Sequence, residues 1–186
     1  MDASRTARNI RISIQDRVGN SVSVDGVDYD IYHSYTFGDP DDMRNPDGRD
    51  QEPAWVETTF LVQTAGRRGS SVMQLDIYSK IGGESEDDND PFGLRAESIA
   101  DALEDLFSGL NAQGGPKGRF HVKNYANPFN PIDTGVCMIC QNSRGDLGMV
   151  EDRRITSSGD GLRRITMTLR FQLLQDTAGP AAFYTD

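Results

Sequence analysis

The chain has 186 residues, of which 36% are hydrophobic and 26% are charged, and its formal net charge is −10 at pH 7. This composition predicts one soluble globular domain with a core that needs neither disulfides nor a metal ion. It argues against a transmembrane helix, since no run approaches ~18 consecutive apolar residues, and against tight binding of duplex DNA, since phosphate contacts need clustered Lys and Arg.

Residues 1–19 contain no continuous apolar stretch, so we expect no secretory signal peptide. The two cysteines, Cys137 and Cys140, are too few for a disulfide scaffold. Their scarcity fits a protein of a reducing compartment.

The first predicted elements are a short helix and a strand. Apolar residues recur every four positions between residues 10 and 18, which predicts one amphipathic helix that ends near Gly19. The Asp25-Gly26 pair then marks a turn. Residues 29–37, YDIYHSYTF, are rich in aromatic and β-favouring side chains and predict a strand.

A loop insertion and a hairpin are predicted next. Residues 38–53 carry glycines, prolines and charges with almost no apolar residue, which indicates a solvated loop or a segment that a partner orders. Residues 55–63 and 72–80 have strand patterns and are separated by a turn at residues 64–71. Together they predict an antiparallel hairpin.

A second loop insertion, residues 82–93, is acidic and precedes the clearest helix pattern of the chain. Apolar residues at i, i+4, i+7, i+8 and i+11 form a single stripe, and glycines follow it. The stripe consists of Ile99, Leu103, Leu106, Phe107 and Leu110.

The last third of the chain predicts four strands. Residues 119–125 and 136–141 flank a Pro-rich loop. Two near-identical segments, residues 153–156 and 162–166, flank a Gly-Asp-Gly turn and predict a hairpin. The second arm alternates strictly as far as Leu173, so at ~3.3 Å per residue it spans roughly 40 Å. We expect a strand this long to project past its own domain or to pair with another chain.

The order of these elements predicts the fold class. We expect a single α+β domain over residues 1–186, with a mostly antiparallel sheet, two helices packed on one face and a long C-terminal strand.

The C-x-x-C spacing of Cys137 and Cys140 is the first candidate for chemistry. A zinc site would need two more ligands, and His33 and His121 are the two histidines of the chain. A redox motif would need a helix N-terminus after a strand. Because the motif lies within an apolar strand pattern, we interpret both cysteines as small buried hydrophobic residues. An adaptor that binds a metal or another ligand through this motif is the less favoured alternative.

Motifs for catalysis are missing from the sequence: it has no nucleophile elbow, no metalloprotease helix motif and no phosphate-binding loop. We therefore predict that the chain is not an enzyme and has no catalytic residue, resident metal or cofactor. A cluster of acidic residues breaks the spacing of a calcium loop and is interpreted as a solvated loop that keeps a surface negative. Its members are Glu84, Glu86, Asp87, Asp88 and Asp90.

Arginine pairs stand out on the acidic background. They could contact DNA phosphates, but we favour contacts with carboxylates of neighbouring subunits, which Arg binds with two parallel hydrogen bonds. Trp55 is either an interface anchor or a core residue. The predicted interface residues are Trp55, Arg67, Arg68, Arg153, Arg154, Arg163, Arg164 and Arg170.

The segment from residue 55 to residue 107 resembles the tail terminator proteins of long-tailed bacteriophages. The likeness lies in a Q-x-D-I-Y strand, residues 74–78, and an A-x-x-I-A-x-A-L-x-x-L-F helix, residues 96–107. The last strand, LRRITMTLRFQLLQ, also resembles that of the family. The loops at residues 38–53 and 126–134 have no counterpart in the resemblance.

This resemblance implies a structural virion protein that forms a homohexameric ring, caps the tail tube and joins it to the head connector. The implied partners are other copies of the chain, the tail tube protein and a neck protein, with DNA only as passing cargo and no membrane. The implied location is the tail end of the virion, and the host cytoplasm during assembly. On this view the acidic loop lines the lumen. Another neck or tail-completion role is the alternative.

Overall fold

A computed structural model describes residues 7–33, 53–63, 69–82, 90, 93–148, 150–157 and 161–174. These residues form α1 (Ala7–Val18), β1 (Ser21–Val24), β2 (Val27–His33), β3 (Ala54–Gln63), β4 (Ser70–Lys80), α2 (Leu94–Asp105), β5 (Arg119–Asn124), β6 (Ile132–Cys140), β7 (Asp152–Ser157) and β8 (Leu162–Leu173). Among them, neither helix has the length or the apolar content to cross a membrane.

The strands form one curled sheet in the order β1-β2-β3-β4-β8-β6-β5, and β7 also pairs with β8. β2 and β3 run parallel, whereas the other described pairs are antiparallel. The predicted α+β class with a mostly antiparallel sheet is therefore confirmed. The predicted turn joins β1 to β2, where Asp25 and Gly26 both adopt positive φ, as a tight hairpin requires.

The core lies on one face of the central strands. Alternate residues of β4 and β8 are buried there, because successive side chains on a strand point to opposite faces. Both helices add their apolar stripes to the same cluster, so they cover one face of the sheet, as predicted. The cluster includes Ile10 and Ile14 of α1, Ile99 and Leu103 of α2, Met73, Leu75 and Ile77 of β4, and Ile165, Met167, Leu169 and Phe171 of β8.

β8 is an internal strand, and the expectation that it projects past the domain or pairs with another chain is wrong. β4 pairs with residues 162–172 along one edge of β8. On the other edge, β7 pairs with residues 163–168 and β6 with residues 171–173. The length of β8 is used within the chain, since it spans two shorter strands placed end to end.

α2 is shorter than its apolar stripe predicts. The helix ends at Asp105, and the chain then turns at Gly109, which has a φ of 76°. Phe107 still reaches the core, but Leu110 lies beyond the turn, is 65% exposed and forms an isolated bridge with Pro116. The prediction that Leu110 continues the buried stripe is therefore wrong, because Gly109 redirects the backbone.

α1 protects an edge of the sheet. The Oγ of Ser13 accepts a hydrogen bond from the backbone N–H of Lys123 at 2.9 Å, and the Oδ1 of Asn9 accepts one from that of Tyr125 at 3.2 Å. These bonds satisfy donors along the outer edge of β5, which would otherwise be open to pairing with another chain. α1 is followed along the chain by β1, which is the strand at the other end of the sheet order.

Asp90 secures the start of α2. The helix begins after Gly93, which has no side chain to cap it. The carboxylate of Asp90 accepts hydrogen bonds instead from the backbone N–H groups of Leu94 and Arg95, both at 2.9 Å, and from the hydroxyl of Ser79 at 3.3 Å. Asp90 is buried. Asp90 is therefore not solvated, as the acidic loop was predicted to be. The other four residues of that acidic cluster lie outside the described residues, and a place for the cluster at a lumen stays a prediction.

Replacing Asp90 with Ala should lower the free energy of unfolding by about 1–2 kcal/mol, because the first N–H groups of α2 lose their acceptor. Asp90→Asn is the matched control and should cost much less, since an amide oxygen caps a helix nearly as well. Denaturation in urea, followed by circular dichroism, measures both changes. Equal losses for the two variants would contradict the capping role.

Candidate interaction surface

The face of β3, β4 and β8 that lies opposite the hydrophobic core carries a row of three side chains. We call this face the outer face. It is formed by the side chains that alternate with the core residues along these strands. Trp55 pairs in register with Tyr78, and Tyr78 with Arg164. The Trp55 and Tyr78 rings are stacked, with centroids 5.0 Å apart and an interplanar angle of 16°. The Arg164 guanidinium lies 5.6 Å from the centre of the Tyr78 ring, within range of a cation–π interaction.

A buried carboxylate fixes this row. Asp76 accepts hydrogen bonds from Arg164 at 2.8 and 3.2 Å, from the Thr166 hydroxyl at 2.7 Å and from the Gln74 amide at 2.7 Å. The hydrogen bond with Asp76 is the main reason that the pKa of Arg164 is raised. Burial of a charge is tolerated when partners satisfy it, and here the same partners hold Arg164 in position against Tyr78.

Trp55 was predicted to be either an interface anchor or a core residue, and its position is intermediate between these two. It is only 9% exposed, yet it lies outside the core cluster and on the outer face. Its indole N–H donates a hydrogen bond to the Glu57 carboxylate at 3.2 Å. Trp55 therefore supports the exposed part of the row and offers little surface of its own to a partner.

The pleat separates the two members of each described arginine pair. Arg153 and Arg163 point to the side of the sheet where α2 packs, since Arg153 lies 2.6 Å from Asp101 and Arg163 is bonded to Glu97. The carboxylates that were predicted on neighbouring subunits are thus found on α2 of the same chain. In this structure Arg153 and Arg163 hold the helix to the sheet.

Arg154 and Arg170 join Arg164 on the outer face. Arg154 is the most exposed of the three, with its Nε 2.5 Å from Asp152, and the Nε of Arg170 lies 3.7 Å from Glu151. The structure therefore brings together four of the predicted interface residues and directs two elsewhere. Arg67 and Arg68 lie outside the described residues. Gln74, Asp76 and Tyr78 belong to the Q-x-D-I-Y strand on which the resemblance rests, but the sequence analysis assigned them no role at an interface.

The outer face has residue types that are common in protein interfaces, and hydrogen bonds within the chain already hold these side chains in position. Trp, Tyr and Arg dominate the binding energy of protein interfaces. Side chains that are already held in position lose less conformational entropy on binding. The outer face therefore combines residue types that are common in protein interfaces with side chains that are already held in position, and Tyr78, Arg154 and Arg164 are its accessible groups.

The two cysteines are free and buried, as predicted. Desolvation raises the pKa of the Cys140 thiol to about 12, which keeps it protonated and unreactive at neutral pH. Cys140 belongs to the core cluster, whereas Cys137 lies three positions earlier on the opposite face of β6. The C-x-x-C spacing therefore does not bring the two thiols together.

The histidines are engaged in separate places. Both ring nitrogens of His33 have partners, with Nδ1 2.8 Å from the Thr58 hydroxyl and Nε2 2.8 Å from the Gly19 carbonyl oxygen. Burial lowers the pKa of His33. His121 lies opposite Cys137 in the β5–β6 register and pairs with Asp133. Within the described part of the chain, no group of three or more His, Cys, Asp or Glu side chains is placed to hold a metal ion.

Comparisons with known proteins add no functional name. No known protein family matches the sequence, and no curated protein matches it. One solved structure, which carries no functional description, aligns with 95% of this chain and 99% of its own at a TM-score of 0.44 and 12% sequence identity. This likeness supports no argument about what the chain does.

Removing the Asp76 carboxylate should lower the free energy of unfolding by about 2–3 kcal/mol in an Asp76→Ala variant, because its buried donors lose their acceptor. Asp152→Ala is the control on β7 of the same sheet, where Asp152 pairs with Arg154 near the surface, and it should cost about 1 kcal/mol or less. Trp55 is the only tryptophan of the chain, so its fluorescence reports the order of the row. An unchanged spectrum in Asp76→Ala would show that Asp76 does not organise this surface.

Cys140 should resist a thiol reagent in the native protein and react once the protein is unfolded in guanidinium chloride, because its thiol is buried and protonated. A Cys137→Ser background isolates the Cys140 signal. Spectrophotometric labelling at neutral pH measures the rate. Rapid labelling of Cys140 in the native state would contradict its assignment as a core residue.

Proposed function

We propose that the chain is a structural subunit that assembles with copies of itself into a ring, caps a phage tail tube and joins it to the head connector. The resemblance over residues 55–107 motivates this proposal. The α+β fold with both helices on one face agrees with what that resemblance implies. The observation that supports the proposal is the outer face, where Asp76 holds Arg164 in position against the Tyr78 ring.

The distribution of charge supports a role in which DNA passes and is not held. The chain has 29 acidic and 19 basic residues. Arg153, Arg163 and Arg164 are paired with carboxylates of the same chain, so they are not a free cationic patch for phosphates. A net negative ring would let DNA move through it without a strong electrostatic trap.

Another neck or tail-completion protein is the second form of this proposal, and it uses the same surface. The two forms differ in the structure that the ring binds. A terminator binds the end of a finished tail tube, whereas a neck protein binds the head connector in the absence of tubes. The position of the gene also separates them, since a terminator gene is expected beside a major tail tube gene and upstream of a tape-measure gene.

The proposal predicts that the purified chain forms rings, alone or on tail tubes. Sedimentation velocity and negative-stain electron microscopy should show discrete oligomers, and incubation with tubes should place a ring at one end. A protein that stays monomeric and has no affinity for tubes or connectors would overturn the proposal.

The outer face can be tested by reversing one exposed charge. Arg154→Glu should weaken self-association or tube binding by roughly tenfold, because charge complementarity across an interface is lost. Arg8→Glu is the matched control, since it reverses an exposed arginine on α1, away from this face. If Arg154→Glu behaves like Arg8→Glu in both assays, the outer face is not the contact surface.

A further inference from the structure

The β5–β6 hairpin carries exposed apolar side chains at both of its ends. At one end the strands are joined by residues 125–131, the hairpin loop, where Phe129 is 97% exposed and Ile132 follows at the start of β6. A side chain this exposed adds nothing to the core of its own chain. Large exposed apolar groups on a rigid support are typical of contact sites.

The hairpin loop is held in one shape. The side-chain oxygen of Asn127 accepts a hydrogen bond from the backbone N–H of Phe129 at 3.1 Å, and the backbone carbonyl oxygen of Asn127 accepts one from the backbone N–H of Asn130 at 3.2 Å. Pro128 lies within this turn and Pro131 follows it, and both prolines restrict the backbone further. Phe129 is thus presented on a prearranged turn, which reduces the entropy lost when it is buried.

The opposite end of the hairpin is formed by two turns, residues 106–118 and 141–148, which we call the receiving end. The turns meet there, because the N–H of Cys140 donates to the Gly118 carbonyl at 2.8 Å and the N–H of Gly148 donates to the Cys140 carbonyl at 2.8 Å. Each turn exposes one leucine: Leu110 is 65% exposed and Leu147 is 49% exposed.

The charges favour another copy of this chain as the occupant. Copies with a net charge of −10 repel each other over most of their surface. The hairpin loop has no charged residue, and the receiving end carries Lys117, Arg144 and Asp146, two positive charges against one negative. These two ends of the hairpin can therefore approach each other across two copies without the repulsion that the net charge imposes elsewhere.

We propose that Phe129 of one copy packs against Leu110 and Leu147 of the next copy. β5 has six residues, so at ~3.3 Å per residue the two ends lie roughly 20 Å apart and cannot meet within one chain. Phe129 lies at one end of the hairpin and the receiving end lies at the other, so this contact joins subunits head to tail. Head-to-tail contacts generate rings when the rotation between subunits closes. This inference rests on the proposed ring and names the contact that builds it.

Mixed disulfide trapping tests the contact in the full chain. Phe129→Cys protein mixed with Leu147→Cys protein should form covalent dimers on mild oxidation, whereas either variant alone should form few. Phe129→Cys mixed with Ile155→Cys is the matched control, because Ile155 is 58% exposed on β7 and lies outside both ends. Equal dimer yields with Leu147→Cys and Ile155→Cys would overturn the inference.

Self-association provides the second measurement. Phe129→Ser should raise the dissociation constant of the oligomer roughly tenfold or more, and Phe129→Leu, which stays apolar, should lose much less. If the wild type forms rings and Phe129→Ser forms them equally well, the ring proposal stands and this contact is wrong. If the specific disulfide forms but neither rings nor tube binding is seen, the contact stands and the proposed function fails.

Discussion

The structure depends on β8, a strand that is hydrogen-bonded along both edges and divides its side chains between two environments. β4 pairs with one edge, and β7 and β6 share the other. Because side chains on a strand alternate, β8 supplies the core with residues such as Ile165 and Phe171 and supplies the outer face with Arg164 and Arg170. The same strand of twelve residues therefore contributes both to the core and to the outer face.

Burial of Asp76 links these two roles. A carboxylate removed from water must be paired and hydrogen-bonded, and its donors come from its own strand and from Arg164 and Thr166 on β8. The bonds that satisfy Asp76 also hold the guanidinium against Tyr78. The order of the outer face is thus a consequence of the packing of β4 against β8, and the surface does not need a partner to arrange it.

Local patterns in the sequence were sufficient to predict most helices and strands and the face of each that is buried. The alternation of β8, the four-residue spacing of α1 and the apolar surroundings of Cys137 and Cys140 each depend on a few neighbouring residues, so they could be predicted and are confirmed. Alternation also separates Arg163 from Arg164, because adjacent residues of a strand face opposite ways. It therefore predicts Arg164 on the polar face of β8 and Arg163 on the apolar one, but the sequence alone could not identify their partner carboxylates, which lie far away along the chain.

Strand order, register and the ends of the elements were decided by the tertiary structure. The sequence shows that β8 is long, but its central position depends on which strands pair with its two edges, and this is a non-local property. Asp90 caps α2 because the chain returns it to the helix start, and Gly109 turns Leu110 away from the core. The register of β5 and β6 places Phe129 at the far end of the hairpin from the exposed leucines. The sequence by itself determined which residues are apolar and how they repeat, whereas the ends of the elements and the pairing of distant strands decided which of them stay exposed, because burial depends on contacts between segments far apart in the chain.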